Sequence, residues 1–306
     1  MKKFTGVLIL LIVGALLSCP KPTSPSSKAW VVSTFAGGGE TAQFSSPTDV
    51  ALDSSGNLYV TDYGNHRIRK ITPKGVVSTF AGGGETPQFN NPYGVAVDSS
   101  DNVYVADTDN HRIRKITSGG SVSTLAGGGE TAEFRQPSGV AVDASGNVYV
   151  ADKSKHRIRR ITPAEGGRVS VSTIAGGGDR GEFRDGTGTD ARFNLPIDVA
   201  LDASGNVYVA DLQTHRIRKI SSERRVVSTI AGGGRSGAFI DGVGASARFK
   251  YPSGVAVDAE GNVYVADTHN HRIRMITPER VVSTIAGGGN ERKGSFRDGA
   301  RRIGTV

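Results

Sequence analysis

The stretch "NHRIRKI" at residues 65–71 returns almost unchanged as "NHRIRKI" at 110–116, "KHRIRRI" at 155–161, "THRIRKI" at 214–220 and "NHRIRMI" at 270–276. A histidine followed by two arginines carries chemistry, and five copies mean either five sites or one structural device used five times. Alignment on His66, His111, His156, His215 and His271 gives spacings of 45, 45, 59 and 56 residues. Self-similarity at such periods marks an architecture built from stacked supersecondary units.

Each unit holds the same four short segments, in the first case "PTDVALD" (47–53), "NLYVTD" (57–62), "HRIRKI" (66–71) and "VVSTFAG" (76–82). They are rich in Val, Ile, Tyr and Thr, and turn residues such as "SSGN", "YGNH" and "TPKG" separate them. This pattern predicts four strands joined by tight turns, an antiparallel meander. Leu58 and Val60 point to one side of a strand and Tyr59 to the other, so both faces of the sheet are apolar. Such a sheet must be sandwiched between copies of itself, and radial packing about an axis does that. Length variation falls in the connections. Four residues, as in Glu40–Gln43, precede the F-x-x-P motif in the first three units, against fourteen, Asp179–Arg192 and Arg235–Arg248, in the last two.

The pattern P-x-G-V-A-V-D, G-N-V-Y-V-A-D, N-H-R-I-R-K-I, V-S-T-x-A-G resembles the NHL repeat, over residues 30–289. The resemblance implies an all-β fold, a β-propeller of four-stranded blades, with five complete repeats of a plan that usually has six. The strand-like "WVVSTFAG" (30–37) supplies a fourth strand ahead of the first full unit, and "FRDG" (296–299) repeats the "FRDG" at 183–186. The text then departs from the repeat, so 290–306 is expected to be the truncated loop of a sixth repeat, with a frameshift or truncation at about Ala300. An open ring, or one closed imperfectly with five blades, would be prone to self-association through its unpaired edges.

Ahead of the repeats, "MKKFTGVLILLIVGALLSC" joins two lysines to an apolar run of 11 residues, Val7 to Leu17. A membrane-spanning helix takes about 20, so 1–18 reads as a signal peptide. Leu16-Leu17-Ser18-Cys19 resembles the lipobox of bacterial lipoproteins, in which the cysteine is acylated. The Pro- and Ser-rich segment that follows makes 19–29 a lipidated tether. The implied location is outside the cytoplasm, lipid-anchored to the bacterial cell envelope at the outer surface or in the periplasm. Cys19 is the only cysteine, so no intramolecular disulfide forms.

The net charge of +8 fits an anionic partner in principle. Export argues against nucleic acid, and Tyr59, Tyr104, Tyr149, Tyr208 and Tyr264 sit at core positions rather than on stacking platforms. The histidine opens the third strand of each blade, about 15 Å from the axis at ~4.8 Å per strand. No metal can be shared at that separation. An Asp stands four positions before each histidine, at Asp62, Asp107, Asp152, Asp211 and Asp267, and can accept hydrogen bonds from the bend or from the following His or Arg. The phrase is therefore read as scaffold.

Topology puts the b–c bends and the d–a connections on one face, together with the Gly triplets, Glu40, Glu85, Glu130 and the long loops bearing Phe183 and Phe239. Variable loops on a rigid frame are where binding usually lives. "AGGGE" lacks the Lys-Ser/Thr and the helix of a phosphate-cradling loop and reads as a turn. Asp49 and Asp198 replace the Gly found at 94, 139 and 254, where the first strand meets the channel mouth; in a six-fold ring they would face each other as a ligand mouth. His269, the only histidine outside the repeated column, reads as an exposed tip. No catalytic residue, cofactor site or metal site is assigned. The leading expectation is a surface-tethered, non-catalytic binding or scaffold propeller for a protein, peptide or glycan ligand, with the membrane engaged through the lipid. The alternative is a divergent propeller hydrolase or lyase acting at the channel mouth.

Overall fold

The computed structural model describes residues 29–36, 44–83, 88–128, 133–178, 183–234, 239–288 and 299–302. The signal peptide, Cys19 and its tether, and Glu40, Glu85 and Glu130 lie outside them. The chain opens with β1 (Ala29–Val32). A first blade follows: β2 (Val50–Leu52), β3 (Leu58–Asp62), β4 (Arg67–Ile71) and β5 (Val77–Gly82). The second is β6 (Pro92–Val97), β7 (Val103–Asp107), β8 (Arg112–Ile116) and β9 (Val122–Gly127), and the third is β10 (Pro137–Val142), β11 (Val148–Asp152), β12 (Arg157–Pro163) and β13 (Val169–Gly176). The fourth has β14 (Gly186–Thr187), β15 (Pro196–Leu201), β16 (Val207–Asp211), β17 (Arg216–Ile220) and β18 (Val226–Gly232). The fifth has β19 (Gly242–Val243), β20 (Pro252–Val257), β21 (Val263–Asp267), β22 (Arg272–Ile276) and β23 (Val281–Gly287), and β24 (Gly299–Arg302) comes last.

Every blade is an antiparallel meander, a-b-c-d from the axis outward, as the turn chemistry predicts. At each a–b turn an Asp carboxylate replaces the missing backbone partners. Asp53 Oδ1 accepts from the N–H of Ser55 (3.0 Å) and of Asn57 (2.8 Å), and Oδ2 from the Asn57 amide (2.8 Å) and the Tyr59 hydroxyl (3.2 Å). Burial alone would raise this carboxyl; the hydrogen bonds from Asn57 and its neighbours outweigh it and hold Asp53 below the usual carboxylate range.

The core is not inside the blades but between them. Tyr59, Ile68 and Ala81 of the first blade cluster with Val95, Val103, Val105 and Ile116 of the second. The alternate positions of the second blade, Tyr104, Ala106 and Ile113, cluster with Val140, Val148, Val150 and Ile161 of the third. The same alternation joins the third blade to the fourth and the fourth to the fifth. A strand side chain points alternately to the two faces, so one period-2 apolar strand serves two seams. Each seam is plugged by the Phe of the F-x-x-P motif: Phe89, Phe134, Phe193 and Phe249 are at most 2% exposed. Full burial of one such ring stabilises by about 1.5–3 kcal/mol.

The long connections form a fifth strand rather than free loops. β14 pairs with β18 in the register Gly186↔Val227, and β19 pairs with β23 as Gly242↔Val282. β1 and β24 form a two-stranded sheet in the equivalent register, Gly299↔Val32. The strand after the 296–299 motif thus meets the N-terminal d strand as its counterparts meet theirs. β1 has this one partner, and no a, b or c strand joins the pair among the described residues.

Candidate functional site

The repeated phrase folds into a knot at the end of every b strand. The b–c bend is a single 3₁₀ turn, Tyr63–Asn65 in the first blade, closed by His66 in the left-handed region at φ 53°. Asp62, fully buried, accepts from the Ser45 N–H (2.7 Å), from the Asn65 amide (2.9 Å) and from Arg67 Nε (2.8 Å). The Arg does bond the Asp, as expected; the histidine Nδ1 bonds elsewhere. His66 Nδ1 accepts from the N–H of Asn91 in the second blade at 3.1 Å. Four of the histidines, His66, His111, His156 and His215, clasp one blade to the next, a role that no period within one repeat could reveal.

The second arginine of each phrase enters the knot from the outer side. Arg218 Nη1 donates to Asp211 Oδ2 (3.1 Å), and its Nη2 and Nε donate to Asp185 Oδ1 at 2.6 and 3.1 Å. Burial pushes the Asp211 carboxyl up to about 6, and Arg218 opposes this. The Phe183 ring lies 3.3 Å from the Arg216 guanidinium carbon. In the fifth blade Asp241 and Phe239 do the same for Arg274 and Arg272. Phe183 and Phe239, read from sequence as variable binding material, are therefore stacked onto the scaffold.

Asp49 and Asp198 occupy the inner edge of their blades, next to the axis. Each carboxylate bridges two blades. Asp49 Oδ1 accepts from the Val50 N–H and Oδ2 from that of Val95, both at 2.8 Å. Asp198 accepts in the same way from Val199 and Val255, again at 2.8 Å. Glycine holds the equivalent place in the other three blades, and at Gly94 and Gly139 the next a strand crowds it. A Cβ on Gly139 would stand 2.2 Å from Asp198 Oδ1, and one on Gly94 would stand 2.3 Å from the Ser138 carbonyl oxygen.

These carboxyls are enclosed by protein on most sides, and each keeps one partly accessible face. Burial pushes Asp198 up to about 7. Burial raises Asp49 well above the ordinary range, and the Asp198 carboxylate raises it further. The Asp198 charge is thus felt at Asp49, in the first blade. Tyr93 is pushed up by burial, then by Asp198 and Asp49. Its ring meets Tyr63 edge-on at 6.2 Å, which links the axis to the bend of the first blade. On the far side, the exposed His269 lies 4.6 Å from the Tyr251 ring, itself edge-on to His215 at 4.7 Å. Neither aromatic contact belongs to the repeat signature, and sequence reading had no signal for them beyond His269. No group of three or more His, Cys, Asp or Glu side chains suited to a metal occurs among the described residues.

With this geometry in hand, the comparisons with known proteins agree on the class. The NHL repeat family model matches residues 44–71, 89–116, 134–161, 193–220 and 249–274. The protein is an all-β propeller with five four-stranded blades built from NHL repeats. NHL repeat-containing protein 2 of Bos taurus is 36% identical over 111 residues, covering 33% of this chain and 15% of that protein. The chain spans between 8% and 15% of the length of the curated relatives it matches. An auxiliary nutrient binding protein from Bacteroides ovatus superposes with a TM-score of 0.65 at 20% identity, over 80% of this chain and 60% of that one. Virginiamycin B lyase from Staphylococcus aureus gives 0.53 at 13% identity, over 85% and 88%. At such identities these structures are alike in fold alone.

Proposed function

We propose that this is an exported, lipid-anchored binding propeller that takes a peptide or glycan ligand on the face formed by the b–c bends and the d–a connections. One observation carries the reading. Most of the repeated His, Arg and Asp side chains are engaged in bonds within and between blades, whereas the non-repeated Asp49, Asp198, Tyr63, Tyr93, Tyr251 and His269 belong to strand ends and bends of this one face. Half-buried aromatic rings around a polar mouth offer apolar area at low entropic cost together with a few orienting groups. The Bacteroides ovatus neighbour described as a nutrient binding protein shares this fold and is consistent with such use. Anchoring at Cys19 would place the domain outside the cytoplasm, with the Pro- and Ser-rich segment as spacer.

A second reading, proton-transfer chemistry at the mouth, is favoured by the carboxyl pair, because burial pushes Asp198 up to about 7 and holds Asp49 above the ordinary carboxylate range. Probing glycan and peptide arrays with purified protein tests the first reading. Binding lost in Tyr93→Ala and Tyr63→Ala, and kept in Lys74→Ala on the opposite face, is the expected result. Binding that all three variants retain would place the ligand elsewhere. Turnover of a bound ligand, abolished by Asp198→Asn with binding intact, would favour the second reading.

A further inference from the structure

The five arginines that enter the knots from the outer side do not have equivalent partners. Arg69 Nε donates to the Ser78 carbonyl and Arg114 Nε to that of Ser123, both at 3.2 Å. Arg218 and Arg274 use Nε on the chain's own carboxylates, Asp185 and Asp241, each at 3.1 Å. Arg159 Nε, in the third blade, is buried and has no hydrogen-bond partner among the described residues. Its side chain is 10% exposed, against 0% for Arg218 under its loop.

The cause is visible in the sequence of the knot. Lys155 stands where Asn65, Asn110 and Asn270 donate to the buried Asp, so Asp152 Oδ2 loses that donor and has no hydrogen bond among the described residues. Arg157 Nε and Arg159 Nη1 reach it only at ion-pair distance, 3.5 and 3.6 Å, and neither Nε has a hydrogen-bond acceptor among the described residues. Beside them lies an open cleft of about 470 Å³, with Arg135, Lys155 and Arg157 among its lining residues. Arg157, Arg159 and Lys155 all act on the single Asp152 carboxylate, so positive charge is in surplus here, and buried N–H groups without acceptors are costly. The outermost strand of this blade, β13, is eight residues long and pairs on its outer edge with no strand among the described residues.

We infer that the outer edge of the third blade is a docking site for an acidic peptide segment of the form aromatic-x-Asp-Gly. The segment would add as a fifth strand on β13, its Asp on Arg159 and its ring on Arg157. The molecule itself shows the mode. β14 and β19 add to β18 and β23, with Asp185 or Asp241 on the inner arginine and Phe183 or Phe239 over the outer one. Thr229 completes the carboxylate cradle through its N–H (3.1 Å) and hydroxyl (3.2 Å), and Thr173 holds the same register opposite Arg159 as Thr229 opposite Arg218. Main-chain pairing supplies affinity in such strand addition, and the charge-assisted carboxylate contact sets register. The site lies on the rim, apart from the channel mouth, and does not depend on what the mouth binds.

The probe is the synthetic peptide Phe-Arg-Asp-Gly-Thr-Gly, the sequence of residues 183–188. It is titrated into full-length protein while the arginine Nε–H resonances are followed by NMR. A saturable shift of the Arg159 signal is expected. A peptide with Asn for Asp should bind at least tenfold more weakly, and Arg159→Gln should abolish binding. Because Arg159→Gln also perturbs a buried knot, Thr173→Val provides a milder variant that should weaken binding several-fold in a folded protein. Shifts confined to Arg218 or Arg274, equal binding of the Asn peptide, or no binding at all would overturn the proposal. So would an Arg159 response to inorganic phosphate with none to the peptide.

Discussion

His111 Nδ1 accepts a hydrogen bond of 3.2 Å from the backbone N–H of Gln136, a residue of the following blade. The same bond joins His66 to Asn91, His156 to Leu195 and His215 to Tyr251, each at 3.1 Å. Donor residue and histidine alike are left-handed: Gln136 has φ 51° and His111 has φ 55°. Two strained backbone positions are thus held face to face by one imidazole.

Replacing His111 therefore has two separable effects. His111→Ala loses the clasp and keeps the strain, which should cost about 1–2 kcal/mol in urea unfolding. His111→Gly loses the clasp but relieves the left-handed strain, and should be about 1 kcal/mol more stable than the Ala variant. Equal stability of the two would show that the backbone strain is not borne there.

The clasp also requires an unprotonated Nδ1. Burial, and then Arg216, hold His215 below the ordinary histidine value. A lowered folded pKa means that the unfolded chain binds the proton more readily. Its contribution to stability is complete above pH ~6.5 and is lost as pH falls through the folded value. The melting temperature of wild type relative to His215→Gln should fall between pH 7 and pH 5; a flat difference would refute this.

The axial carboxyls act with the opposite sign. Asp198, raised to about 7, binds its proton more tightly in the folded chain, so its contribution is complete below the unfolded value and is lost as pH rises toward 7. Asp198→Asn should therefore gain relative stability from pH 4 to pH 8. It should also lower the Asp49 pKa, read from the side-chain carboxyl ¹³C shift, because the Asp198 charge is one of its causes. An Asp49 titration unmoved by the substitution would separate the two groups. Gly139→Ala, whose Cβ would stand 2.2 Å from Asp198 Oδ1, should cost about 1–3 kcal/mol.

Arg218 is fully buried between Asp211 and Asp185, and truncating it leaves Asp211 buried without its cation. Arg218→Met should destabilise by about 3–5 kcal/mol. Asp185→Asn, which keeps the shape of the fifth strand, should cost less, about 1–3 kcal/mol. Denaturant midpoints check the order, and a reversed order would mean that the loop carboxylate dominates the knot.

Cys19 should carry lipid. Labelled palmitate is expected in the wild type and not in Cys19→Ser when each is expressed in a bacterial host, and equal labelling of both would exclude the lipoprotein reading.

The repeat, the four strands per blade, the tight turns and the buried tyrosines follow from the sequence because they are local. Period-2 apolar alternation, Asx turns and glycine placement each act within a few residues, and the unit recurs five times. The insertions, too, were confined to connections by counting alone. What the histidine bonds, why Gly94 and Gly139 must lack a Cβ, and what Asp185 does for Arg218 were decided by tertiary structure, since each joins residues 25 or more positions apart. Asp49 and Asp198 could be singled out as departures from a column of glycines. That the Asp198 charge reaches Asp49 depends on blades packing around an axis, and it is this long-range geometry that sets the electrostatics of the mouth.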